Sequence, residues 1–137
     1  MIHQNGGFSL SEAYKMSVNP PPAHVKSDPN VRVYRAADFE VIDPEKVKPI
    51  PTYSGDVFSA VTFTMLPGQL HTPHSHTDVT QAWFILSGQG EAILGDDRRE
   101  VVGPGTMIVH HPTQLHGILA TGDENLVYMN ISERPRT

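Results

Sequence analysis

The sequence predicts an all-β fold, a jelly roll or closely related barrel of seven or eight short strands, with an extended N-terminal arm before it. Three observations predict it. From Val57 onward, short runs rich in β-branched and aromatic residues are broken by glycine at regular intervals. Nothing between residues 55 and 131 carries helical periodicity. Turn-forming residues are also divided unevenly. Seven of the twelve prolines precede residue 52, including Pro20, Pro21 and Pro22, whereas nine of the eleven glycines lie between Gly55 and Gly122.

Residues 1–30 read as the arm and 31–137 as a single barrel domain. In the arm a short helical turn is expected over Ser11 to Ser17, with Ser11 as its cap, followed by a strand at Val31 to Tyr34. Val57 to Leu66 then alternates, with Val61, Phe63 and Met65 on one face and Ala60, Thr62 and Thr64 on the other. Gln81 to Leu86 is the next clear strand, closed by Ser87-Gly88-Gln89-Gly90. Glu91 to Leu94 ends in the turn Gly95-Asp96-Asp97, and Arg98 and Arg99 beside it read as a solvated rim. Arg99 to Val102, Thr106 to Val109, His116 to Leu119 and Leu126 to Ile131 complete the set.

Composition removes several function classes. Ten basic and fifteen acidic residues give a formal charge of -5 with no clustered basic run, which argues against a nucleic-acid partner. No stretch approaches the roughly 20 apolar residues that span a bilayer, and Met1 to Leu10 lack the basic start and apolar run of a secretory signal. A soluble, cytoplasmic protein with no membrane partner is expected. The chain has no cysteine, so a metal here must be held by imidazole, amide, carboxylate or water. Eight histidines in 137 residues make imidazole the ligand to follow.

His74 and His76 stand two apart where the flanking sequence argues for a strand. Alternate strand residues share a face with about 6.6–6.8 Å of rise between them, so both rings can converge on one ion. Gln81 follows after a turn at Thr77 to Val79 and opens a strand whose same-face residues are Trp83 and Ile85. Phe63, Met65, Trp83, Ile85 and Met129 are candidates for an apolar pocket wall, a role that core packing explains equally well. His71 is a candidate proton shuttle at the pocket mouth, against the plainer account of a solvent-exposed strand residue. His110 and His111 cannot both face inward, because neighbours on a strand point to opposite faces. His3 and His24 fall in the arm.

These residues carry a resemblance. Gly68, His74, His76, Gln81 and Gly88 match the spacing of the first cupin motif, with glutamine where the motif has glutamate. Gly105 to Ala120 resembles the second motif. There His111 replaces the proline, Thr113 the glycine and Ala120 the asparagine, while Gly105 and His116 keep their places. The resemblance covers about residues 55–131. It implies a double-stranded β-helix holding one divalent metal ion (Mn, Fe, Ni or Zn) at one open end, with His74, His76, His116 and Gln81 as ligands. Cupin-like barrels commonly pair, and the arm leaves Val31 and Val33 without another place to be buried, so a homodimer is expected.

The glutamine has a consequence for charge. Three neutral imidazoles, a neutral amide and a divalent ion sum to +2, one unit more positive than with a carboxylate. Such a centre is a stronger Lewis acid, attracts anionic substrates and disfavours higher oxidation states. The expected function is Lewis-acid chemistry on a small oxygen-rich or anionic molecule by an isomerase, cyclase, lyase or decarboxylase. The alternatives are a non-haem iron dioxygenase and a non-catalytic metal- or metabolite-binding barrel.

Overall fold

Short amphipathic runs cannot bury their apolar faces singly, and here they do so by stacking two antiparallel sheets face to face. The structure is a computed structural model and describes residues 31–134. The expected arm, with its helical turn at Ser11 to Ser17, lies outside those residues. Nine strands are present among the described residues: β1 (Pro49–Ser54), β2 (Phe58–Met65), β3 (Leu70–His74), β4 (Gln81–Ser87), β5 (Gln89–Leu94), β6 (Arg98–Val102), β7 (Met107–His110), β8 (His116–Thr121) and β9 (Leu126–Glu133). One sheet has the order β1-β2-β9-β4-β7 and the other β3-β8-β5-β6. This is the jelly-roll barrel that the sequence predicts.

The core lies between the sheets. Phe63, Met65, Trp83, Ile85, Ala92, Ile118, Leu126 and Tyr128 form one buried cluster, with Val61 and Leu94 packed against it. Cross-strand register fixes which residues share that face: Phe63 pairs with Tyr128, and Tyr128 with Ile85. The same register corrects one expectation. Met129 pairs with Thr62 and Phe84, on the opposite face of the sheet, so it is no part of an inner pocket wall. Phe63, Met65, Trp83 and Ile85 do face inward.

Two further differences come from the proline-rich region. Val31 to Tyr34 form no strand; Val31 and Val33 are 70% and 72% exposed and so gain nothing from pairing. A short 3-10 turn follows at Ala36–Phe39. The unforeseen strand is β1, whose Pro49 and Pro51 cannot donate ladder hydrogen bonds. It occupies a sheet edge, where that loss is tolerated.

Gly88 joins β4 to β5 with φ at +78°, and a Cβ there would sit 2.2 Å from the Asn125 carbonyl oxygen. Both the left-handed backbone and this approach exclude a side chain. Gly88→Ala is therefore expected to lower the unfolding free energy by about 2 kcal/mol or more. Urea denaturation measures this, and an unchanged midpoint contradicts the packing described.

Candidate metal centre

The site begins with an irregularity in β3. His71 pairs with Ile118 and His74 with His116, so three steps along β3 oppose two along β8. The extra residue is a β-bulge, and it reverses the alternation of faces within the strand. His71 and His74 both turn inward as a result, although their odd spacing would separate them on a regular strand. Gly117, between His116 and Ile118, lets the bulge sit close. A Cβ on it would lie 2.7 Å from the His71 carbonyl oxygen.

His76 lies just beyond the end of β3, not on the strand that its spacing from His74 suggests. Its carbonyl accepts a 2.6 Å hydrogen bond from the Thr113 N–H, which ties this segment to the loop between β7 and β8. His74, His76 and His116 come together there, each with a ring nitrogen within 4.8 Å of the others'. The rings are oriented by the backbone. His74 Nδ1 donates to the Thr72 carbonyl and His116 Nδ1 to the Gln114 carbonyl, both at 2.8 Å. Those bonds leave the Nε2 lone pairs free.

A divalent ion fits these residues. His76 Nε2, His116 Nε2 and Gln81 Oε1 are buried without a hydrogen-bond partner. Leaving such atoms unpaired costs about 1–3 kcal/mol each. Imidazole nitrogen and amide oxygen suit most first-row divalent ions. Gln81 is 7% exposed, and its Nε2 donates to Ser132 Oγ at 3.4 Å, which leaves its oxygen as the unpaired end.

Around this group stand three residues that extend it. His71 Nδ1 is hydrogen-bonded to the Tyr128 hydroxyl. Its ring stacks on Trp83 at 5.1 Å and lies 4.7 Å from Phe63 and 4.9 Å from His74. The plainer account of His71 as a solvent-exposed strand residue is therefore corrected: the bulge carries it inside. His110 is 3% exposed and stacks on His116 at 4.0 Å, while its neighbour His111 faces solvent. Alternation from the inward Ile108 could have assigned His110 to the interior, and from the inward Leu126 could have done the same for Tyr128.

Burial and crowding keep these groups uncharged. Burial is the first cause and the neighbouring imidazoles the second. They lower His71 to about 4 and His110 to about 3, and burial lowers His76 and His116 as well. Burial raises the Tyr128 hydroxyl well above its ordinary value, so it stays protonated.

Among the described residues two clefts reach the barrel interior. One, of about 620 Å³, opens between β1 and β3 and is lined by His71, His74, Phe63 and Leu70, with Glu45 and Lys46 at its rim. The other, of about 530 Å³, opens between β6 and β7 and is lined by His110, Leu94, Val102 and Ile108. Arg98 pairs with Glu100 at 2.8 Å on the second rim.

The family profile described as a cupin domain matches residues 61–132. The chain is a cupin. Solved structures agree on the fold. A double-stranded β-helix protein from Klebsiella pneumoniae subsp. pneumoniae is 18% identical, with a TM-score of 0.74 over 78% of this chain and 93% of its own. KdgF from Halomonas sp. is 23% identical, with a TM-score of 0.60 over 71% of this chain and 86% of its own. The DMSP lyase DddQ from Ruegeria pomeroyi is 18% identical, with a TM-score of 0.58 over 68% of this chain and 51% of its own. No curated protein matches the sequence.

The cupin's departures from the family motifs are visible in its backbone. Thr113, in place of the second motif's glycine, has φ at 70°, the one positive φ among the described non-glycine residues. A β-branched residue there is strained by about 1–3 kcal/mol. Thr113→Gly is expected to stabilise the cupin by about 1 kcal/mol, read as a raised denaturation midpoint; a lowered midpoint would show that the threonine is not strained.

The buried histidines also set a pH dependence. Unfolded chains take up protons near pH 6.5, whereas His71 and His110 resist them down to about 4 and about 3. Their contribution to stability is complete above about 6.5 and declines as the pH falls from there toward 3 to 4. Denaturant midpoints of metal-free protein should therefore fall steadily across that window. A midpoint that holds or rises on acidification contradicts neutral, buried rings.

Proposed function

We propose that this cupin is a metal-dependent enzyme that acts on a small oxygen-rich or anionic molecule without net oxidation or reduction. The observation that carries the reading is the convergence of His74, His76 and His116, with two rings held by backbone carbonyls and the Gln81 oxygen unpaired. A divalent ion held by these four residues supplies Lewis acidity toward substrate oxygens.

The chain's own groups do the rest. The cleft beside His71 and His74 admits a small molecule past a rim that carries one charge of each sign, Glu45 and Lys46. Phe63, Trp83 and the Tyr128 hydroxyl fix the plane of the His71 ring. Neutral His71 can accept a substrate proton at Nε2 in the tautomer whose Nδ1–H donates to the Tyr128 hydroxyl oxygen. Isomerisation, cyclisation, lysis and decarboxylation all require such a proton movement. The likeness to a DMSP lyase is one of fold alone, and it supports the reading only in that a barrel of this kind hosts lyase chemistry in that protein. Phe84, Met107 and Met129, side by side on the outer face of the larger sheet, support the pairing of two copies.

The test loads the protein with manganese, iron, nickel or zinc and screens keto acids and catechols. Conversion without oxygen uptake is expected. Oxygen uptake coupled to substrate loss would replace this reading with a dioxygenase, and binding without conversion would make the cupin a binding protein. Gln81→Glu is expected to tighten metal binding about tenfold or more, through the added charge, while slowing redox-neutral turnover. Unchanged affinity would place residue 81 out of reach of the metal.

A further inference from the structure

The cleft between β6 and β7 has no part in the chemistry described above. These are the outer strands of their sheets on that side and share no ladder, so the seam between them can widen without breaking strand hydrogen bonds. Ala92, Val102 and Ile108 belong to the buried cluster and also line the cleft, which therefore penetrates the barrel and is not a surface dent. Its volume is about 530 Å³. His110 forms part of the wall. One side of its ring borders the cleft, another is stacked on His116, and Trp83 meets it edge-on at 4.7 Å.

The lining defines the chemistry of an occupant. Leu94, Val102 and Ile108 favour an apolar body. The charged side chains at the rim, Arg98 and Glu100, are paired with each other, so a charged ligand would enter without a free counter-charge and lose its hydration. Thr106, Gln114 and the His110 ring supply polar atoms for one hydroxyl. We propose that the β6–β7 cleft is a second small-molecule site, separated from the three-histidine group by the thickness of the His110 ring, and that it takes an uncharged, compact, largely apolar alcohol.

Trp83 is the chain's single tryptophan and touches His110, so its emission reports on the cleft without any metal present. Cyclohexanol, which is transparent at indole wavelengths, is the probe. Titrated into metal-free protein, it should change Trp83 emission saturably, with half-saturation on the order of 1 mM, and cyclohexanecarboxylate should bind at least about tenfold more weakly. Val102→Phe fills this cleft and not the one beside His71. It should weaken the response at least about tenfold. If that variant does not fold, Thr106→Phe at the same rim decides the matter. No saturable change up to the solubility limit, equal binding of the carboxylate, or a response that survives in the folded variant would each overturn the proposal. Because no metal or turnover enters the measurement, its failure leaves the function proposed for the three-histidine group untouched.

Discussion

His74 and His116 each donate an Nδ1 proton to a backbone carbonyl two residues earlier, and the rest of the site depends on where that leaves the opposite nitrogens. A histidine free to rotate would point its Nε2 toward water. Held by a carbonyl, each ring turns that atom toward a shared point inside the barrel, and His76 supplies the third nitrogen from the loop beyond. Buried lone pairs without partners are costly, so the fold tolerates them where an occupant can pair with them. Neutral rings are also what a metal ion requires, and burial disfavours the charged form of His76 and His116.

Backbone irregularities bring those carbonyls and rings into place. The bulge in β3 lets His71 and His74 share the interior, and glycine at 117 lets the bulged strand lie against β8. Thr113 keeps a left-handed backbone where its N–H can reach the His76 carbonyl. A strained threonine at a loop that anchors a ligand segment follows a common pattern, in which local strain persists because surrounding bonds over-determine the conformation.

Much of this was legible in the sequence, for identifiable reasons. The runs that became β2 and β4 alternate, so Phe63 and Met65, and likewise Trp83 and Ile85, could be placed on a common face from spacing alone. The pairing of His74 with His76 followed from their spacing, and the place of His116 from the resemblance to the second cupin motif. Spacing fails where alternation is broken. The bulge hid the inward turn of His71, because an inserted residue leaves no mark in a polar segment that contains Pro73. Strand β1 was hidden by its prolines, which are acceptable only because it lies at an edge. Met129 was misassigned because an apolar residue on either face of β9 looks the same without its register.

The three histidine nitrogens converging on one ion is the claim on which the functional account stands. Crystals grown with nickel(II) and measured at the metal's absorption edge test it directly. The account predicts one anomalous peak about 2.0–2.2 Å from Nε2 of His74, His76 and His116. Rings turned apart with no peak among them, or a peak bound elsewhere, would contradict it.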